Sequence, residues 1–130
     1  MSIFAKNDKM AQHNTLGKMG EDMACRFLQD KGYEILERNW TWRKLELDII
    51  ARKDDCLIIA EIRTRSTNMY GEPEDTVSEK KIRRIINAAD VYIKKNMIDL
   101  NVRFDIISVT GHDGDFRIKH IEDAFISPVW

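Results

Sequence analysis

Two acidic residues, Asp48 and Glu61, stand inside segments that are otherwise largely apolar. The segments, Leu45–Lys53 and Cys56–Arg65, have the composition of β-strands and are separated by two aspartates, so together they predict a β-hairpin. A turn centred on those aspartates places the two acids directly opposite each other, with Cβ atoms about 4.5–5.5 Å apart. Two like charges in that position destabilise a sheet, so a positive charge is expected to compensate them.

Two kinds of positive charge could compensate this acid pair. Arg63 or Arg65, on the second strand, could form a salt-bridged structural network with it. A divalent ion could instead bind the carboxylates, because Mg²⁺ and Mn²⁺ prefer hard oxygen ligands and use one or two protein carboxylates together with water. The residues by themselves leave both alternatives open.

Strand alternation predicts which side chains of the hairpin share a face. On the first strand it groups the even-numbered residues against the odd-numbered ones: Glu46, Asp48 and Ile50 against Leu45, Leu47 and Ile49. The same register places Glu46 opposite Arg63, so Glu46 is expected to orient that guanidinium.

Glu21 is a third acidic candidate, and it lies on a predicted helix. Apolar residues recur at spacings of three and four over residues 15–31, which predicts an amphipathic helix. Glu21 falls at the margin of the apolar stripe beside the small residues Gly17 and Ala24, which would let another backbone or a phosphate come close. The alternative is an ordinary boundary glutamate whose carboxylate reaches water.

The remaining segments complete a single α/β domain. Further strands are predicted at 33–42, 102–110 and 116–121, a loop at 66–76, and a helix at 78–96 that Ser78 caps. The order αβββαββ indicates a mixed central sheet of about five strands flanked by α-helices. A chain of 130 residues supports one domain, predicted at 15–130 after a polar leader at 1–14 that could be flexible.

Charge is distributed unevenly along the chain. The totals, 21 Lys plus Arg and 22 Asp plus Glu, argue against a uniformly basic nucleic-acid binder. The predicted helix at 78–96, however, has six basic residues against two acidic ones, a net charge of +4, and residues 99–130 have a net charge of −3. Lys80 and Arg84 share one face of that helix and could contact phosphates; a plain solvated face is the alternative.

The sequence also predicts a compartment. No secretory signal is readable at the start, and no apolar run approaches the roughly 20 residues that a membrane helix needs. Cys25 and Cys56 fit neither a zinc-binding spacing nor a disulfide scaffold. A cytoplasmic protein without a membrane partner is therefore expected.

A series of short motifs extends over nearly the whole chain after residue 14. They are Leu16-Gly17, Gly20-Glu21 with Ala24, Gly32-Tyr33, Arg38-Asn39-Trp40, Glu46-Leu47-Asp48-Ile49-Ile50-Ala51, Glu61-Ile62-Arg63-Thr64-Arg65, Tyr70-Gly71 with Pro73, Lys80, Ala88-Ala89, Arg103-Phe104-Asp105, and Ile121 to Phe125. In this order and spacing the chain resembles the YraN-like bacterial proteins, predicted nucleases with a restriction-endonuclease-like core.

The resemblance implies a metal-dependent phosphodiesterase site made of an Asp and a Glu-x-Lys motif. Here these positions are Asp48, Glu61 and Arg63, with Glu21 as the helix acid, and Mg²⁺ or Mn²⁺ would bind to the three carboxylates. The wider superfamily favours Lys at the position of Arg63, and the family usually has Gly at the position of Leu45. Because arginine stays protonated, Arg63 could stabilise charge on the phosphate but could not act as a general base.

The first hypothesis is therefore an endonuclease that cleaves DNA, in particular branched or distorted DNA, with Arg65, Lys80 and Arg84 contacting the nucleic acid. The second is a nucleic-acid-binding module of the same fold with weak or no catalysis. The third is an interaction or scaffold subunit whose carboxylates are merely salt-bridged. Whether two copies form a homodimer to cut both strands stays open.

Overall fold

The elements follow the predicted order in a computed structural model, which describes residues 2–66 and 77–125, with side chains from residue 15 onward. They are α1 (Ser2–Asp30), β1 (Glu34–Trp42), β2 (Leu45–Lys53), β3 (Cys56–Arg65), α2 (Glu79–Lys95), β4 (Asn101–His112) and β5 (Asp115–Phe125). The predicted class is confirmed: a restriction-endonuclease-like α/β arrangement of five strands and two helices.

The sheet has the order β1-β2-β3-β4-β5 and is mixed. β3 and β4 are parallel and all other neighbours are antiparallel. A parallel pair needs a long crossover connection, and α2 lies in the one between β3 and β4. The β2–β3 ladder has the predicted register, from Lys53–Cys56 at the turn to Ile49–Ala60.

Each face of the sheet is covered by one helix. Ala24, Cys25 and Leu28 of α1 pack against buried residues of β2, β3 and β4. On the other face, Ile85 and Ala89 of α2 pack against residues of β2, β3 and β4. We call these the α1 face and the α2 face. The two layers hold the hairpin that carries Asp48 and Glu61 between them.

The start of α1 differs from the prediction. The helix was expected from about residue 15, but its backbone is helical from Ser2, so the segment predicted as a polar leader continues the helix. Residues 2–14 contain neither proline nor glycine, and nothing in them interrupts a helix once its packed portion has formed. The predicted end is confirmed, since Gly32 follows α1 with φ +90°. The domain boundary at residue 15 stays a prediction.

The second helix begins as the sequence predicts. Ser78 Oγ accepts a hydrogen bond from the Lys81 N–H at 3.2 Å, which caps the helix. Most of the loop predicted at 66–76, including Gly71 and Pro73, lies outside the described residues. Among the residues that are described, no helix is both long and apolar enough to cross a membrane.

Candidate functional site

Asp48 lies where the alternation of β2 changes phase. Leu47 packs on the α2 face together with Ile50, whereas Ile49 packs on the α1 face. The predicted grouping of even against odd residues is therefore wrong here. The neighbouring strand gives the reason: Asn39 falls between the pairs that β1 forms with Leu47 and Ile49, and its φ of 51° interrupts the regular pleat opposite Asp48.

The irregularity lets the Asp48 side chain turn toward β3. Asp48 Oδ2 accepts a hydrogen bond from the backbone N–H of Ile62 at 2.9 Å, just beyond the last β2–β3 pair. Burial, and then the charge of Glu61, raise the pKa of Asp48 to about 7, against the opposing effect of the Ile62 hydrogen bond. The structure thus brings the two predicted acids together, and their proximity carries an electrostatic cost.

The cation that compensates them is Lys81. Its Nζ lies 3.0 Å from Glu61 Oε1; the Glu61 side chain is 7% exposed and that of Lys81 is 47% exposed. Burial disfavours the ammonium, but the charges of Glu61, Asp48 and Glu46 outweigh it and raise the pKa of Lys81. Lys81 was not predicted as a site residue. One feature of the sequence could have indicated Lys81. It precedes the buried Ile85 by four residues, and residues four apart lie on the same face of a helix.

The contacts of Arg63 in the structure differ from those that the sequence predicts. Arg63 and Arg65 are partly exposed on β3, where they pair with Ser108 and Thr110 of β4. Within residues 2–66 and 77–125, Arg63 forms no ion pair with Asp48, Glu61 or Glu46. Glu46 is exposed and lies opposite Thr41 of β1. Its expected role in orienting Arg63 therefore has no contact to support it.

Glu21 faces the same cleft as Asp48. The cleft has a volume of about 290 Å³ and is lined by Leu16, Gly17, Glu21, Asp48, Ile62 and Thr64. Glu21 Oε1 accepts hydrogen bonds from Asn39 Nδ2 at 2.6 Å and from Arg38 Nε at 3.3 Å. The Arg38-Asn39 pair therefore holds the helix acid in place, while Asn39 also shapes the strand next to Asp48.

A glycine sets the distance between α1 and this part of β3. A Cβ added at Gly20 would overlap the side chain of Thr64, whereas a Cβ at Gly17 would meet open space. Gly20 is thus the residue that permits close approach of the helix. Gly17 leaves the cleft beside Glu21 open.

The three carboxylates differ in how well they fit a divalent ion. The described residues include no ready-made group of three or more His, Cys, Asp or Glu side chains that could hold a metal. Mg²⁺ and Mn²⁺ need only one or two protein carboxylates, because water fills the other positions. Asp48 and Glu61 fit that requirement directly, since they share one site and a cation already lies against Glu61. Glu21 lines the cleft together with Asp48, and its carboxylate is held by Asn39 and Arg38.

Two other basic residues of α2, Lys80 and Arg84, were predicted to contact nucleic acid. Lys80 is exposed, and Arg84 Nη2 donates a hydrogen bond to the Lys44 carbonyl oxygen at 3.4 Å, which links α2 to the β1–β2 turn. The predicted contacts of Arg65, Lys80 and Arg84 with nucleic acid stay predictions.

A second polar cluster lies away from the acid pair. Asp105 is fully buried and accepts hydrogen bonds from Arg103 Nε at 2.9 Å, Arg103 Nη2 at 2.7 Å and the Asp123 N–H at 3.0 Å. His120 Nε2 lies 2.8 Å from Asp105. Although burial disfavours its charge, the hydrogen bonds from His120 and Arg103 hold the pKa of Asp105 below its ordinary value. In the Arg103-Phe104-Asp105 motif, Arg103 and Asp105 therefore have a structural role, because they bind each other inside the fold.

Comparisons with known proteins agree on one family. A sequence model of the Uncharacterised protein family UPF0102 matches residues 20–109, a range that contains Glu21, Asp48, Glu61 and Lys81. A UPF0102 protein of Phocaeicola vulgatus is 51% identical over 121 residues, covering 93% of this chain and 100% of the relative. Similar relatives occur in Flavobacterium psychrophilum, 51% identical over 116 residues (89% of this chain, 98% of the relative), and Bacteroides thetaiotaomicron, 49% identical over 121 residues (93% and 100%).

Proposed function

This chain belongs to the uncharacterised protein family UPF0102, and we propose that it is a Mg²⁺- or Mn²⁺-dependent endonuclease that hydrolyses phosphodiester bonds of DNA. One observation carries the proposal. Asp48 lines an open cleft and lies next to the buried Glu61, and burial together with the charge of Glu61 raises the pKa of Asp48 to about 7. Such paired, perturbed carboxylates are costly for folding and are typical of functional sites.

Asp48 and Glu61 would hold the metal ion. The bound ion would lower the pKa of a water molecule and polarise the phosphate. Ile62 fixes the orientation of Asp48 through its backbone N–H, so this ligand is positioned before any ion binds. Glu21, held by Asn39 and Arg38 on the other side of the cleft, would accept a hydrogen bond from the attacking water.

Lys81 would supply the positive charge that the Glu-x-Lys motif provides in related nucleases. Its raised pKa keeps it protonated at neutral pH, so it would stabilise negative charge on the phosphate and would not act as a base. Positioned charges of this kind are worth about 10²- to 10³-fold in rate. Arg63, which follows Glu61 by two residues on β3, would add a second cation at the rim.

A cleavage assay tests the proposal. Purified protein is incubated with Mg²⁺ or Mn²⁺ and with linear, flapped and four-way DNA, and branched DNA is the substrate expected to be cut fastest. Asp48→Ala and Glu61→Ala should each abolish metal-dependent cleavage while the domain stays folded. Asp55→Ala, which removes an exposed carboxylate from the same hairpin, is the matched control and should cleave like the wild type. Unchanged rates in either site variant would contradict the assignment.

A nucleic-acid-binding module without catalysis is the second candidate. Lys81 lies against Glu61 and neutralises its charge, and arginine occupies the position of the motif lysine. DNA binding that persists in EDTA, with no cleavage of any substrate in Mn²⁺, would favour this candidate over the enzyme.

A further inference from the structure

The tip of the β1–β2 hairpin carries a tryptophan between two cations. Trp42 is the last residue of β1 and is only partly buried. Arg43 Cζ lies 4.3 Å from the centroid of its ring, and Lys95 Nζ of α2 lies 5.7 Å from it. The ring is therefore accessible at the surface, and its immediate neighbours are positively charged.

The packing of Trp40 shows that Trp42 has a different role from a core tryptophan. Trp40 packs against the α2-face core, where its ring meets that of Tyr92 edge to face at 5.3 Å. Trp42 belongs to neither core cluster formed by the described residues. Because it follows Trp40 by two residues on the strand, it lies on the same α2 face, at the exposed end of the hairpin.

Among the residues that the structure describes, the cations at the hairpin tip have no carboxylate partner. Within the part of the chain that the structure describes, Arg43, Lys44, Arg84 and Lys95 form no ion pair with an acidic side chain. Lys94, one residue before Lys95, is by contrast paired with Asp90 at 2.9 Å. The surface at the hairpin tip thus combines an accessible aromatic ring with uncompensated positive charge, which is the combination that binds single-stranded nucleic acid.

The distance to the acid pair suits a nucleic-acid strand. Trp42 pairs with Leu45, which precedes Asp48 by three residues on β2. At about 3.3 Å per residue and about 5 Å between strands, Trp42 lies roughly 11 Å from Asp48. Nucleotides of a stacked strand rise about 3.4 Å each and those of an unpaired strand can span more, so this distance corresponds to at most about three nucleotides.

We propose that Trp42, flanked by Arg43, Lys44 and Lys95, is a stacking site for an unpaired base within about three nucleotides of the phosphate that is cleaved. A base within an intact duplex is stacked on its neighbours and cannot reach the ring. The preferred substrate is therefore nucleic acid with unpaired bases at a flap or a strand junction. This inference rests on the proposed function for the cleavage point, but base binding itself requires neither metal nor catalysis.

Binding in EDTA tests the site without cleavage. The affinity of the full chain is measured by fluorescence anisotropy for a labelled single strand of about 12 nucleotides, a flapped duplex and a blunt duplex. Trp42→Ala should weaken binding of the single strand and the flap about 5- to 150-fold, the loss expected for one stacked base, and change duplex binding less than about twofold. Trp42→Phe, which keeps an aromatic ring at this position, should retain most of the affinity, and the nearly unchanged duplex binding of Trp42→Ala shows that this variant is folded.

Two controls separate stacking from general charge. Lys95→Gln should weaken single-strand binding and reduce its salt dependence by about one ion, whereas Lys94→Gln, which removes a lysine already paired with Asp90, should have the smaller effect. An equal loss on duplex and single strand in Trp42→Ala, or no loss in either, would overturn the proposal. If binding depends on Trp42 but no DNA is cut in Mn²⁺, the stacking site stands and the nuclease assignment fails.

Discussion

Replacing Asp48 with asparagine should stabilise the metal-free protein at about pH 8. The pKa of Asp48 is raised from 3.8 to about 7 in the folded chain by burial and by the charge of Glu61. One pKa unit corresponds to about 1.36 kcal/mol, so an ionised Asp48 costs the fold about 4 kcal/mol relative to the unfolded chain. Because the folded pKa is above the unfolded one, this cost is absent below pH 3.8, grows as the pH rises, and is complete above about pH 7.

Asparagine preserves the geometry while removing the charge. Its side-chain oxygen can still accept the hydrogen bond from the Ile62 N–H, and its amide can donate to Glu61. In the wild type, about two-thirds of the free-energy cost of ionising Asp48 develops between about pH 5 and pH 8. The stability of Asp48→Asn relative to the wild type should therefore be about 2–3 kcal/mol more favourable at pH 8 than at pH 5.

Urea unfolding in EDTA, followed by circular dichroism at both pH values, measures this difference. Asp55→Asn, an exposed change in the same hairpin, is the control with which the pH dependence of Asp48→Asn is compared. A stability difference between Asp48→Asn and the wild type that is the same at both pH values would refute the reasoning. Ionisation of Asp48 would then carry no free-energy cost between pH 5 and pH 8, as expected for the salt-bridged network that the sequence leaves open.

Three further predictions follow from the described contacts. Lys81→Gln should lower the cleavage rate about 10²- to 10³-fold while Mn²⁺ still binds, and Arg83→Gln, at an exposed position of the same helix, should not; single-turnover cleavage and calorimetry separate the two effects. Asp105→Asn should destabilise the fold by about 3–5 kcal/mol at neutral pH. Because the pKa of Asp105 is lowered, the wild type should lose this stabilisation as the pH falls below 3.8, whereas Asp105→Asn has no such stabilisation to lose. The same loss of stability in acid for both proteins would contradict this. Gly20→Ala should cost about 1–3 kcal/mol in urea unfolding through overlap with Thr64, and Thr64→Ala should recover part of it; full stability of the single variant would show that the helix can move away.

Local sequence signals predict most of the fold. β2 and β3 begin and end where their composition indicates, because two aspartates leave room only for a tight turn, and that turn fixes the register. Ser78 likewise predicts the start of α2, because the residue that signals the cap in the sequence also forms it in the structure. The order of elements then constrains the sheet.

The features that the sequence does not predict depend on residues from other elements. The phase change at Asp48 depends on the backbone of Asn39 in β1, and a left-handed conformation at an asparagine cannot be read from strand composition. Lys81 reaches Glu61 because of the way α2 packs on the sheet. A count of charges along the helix therefore does not distinguish Lys81 from the other basic residues of α2. The position of Glu21 depends likewise on Arg38 and Asn39.

Calorimetric titration of Mn²⁺ tests the central claim that Asp48 and Glu61 form a metal site. At about pH 8 the wild-type chain and the control Asp55→Asn should each release or absorb heat on binding Mn²⁺, and Asp48→Asn should show only the heat of dilution. The absence of binding heat in the wild type, or equal heat in the wild type and Asp48→Asn, would contradict the claim.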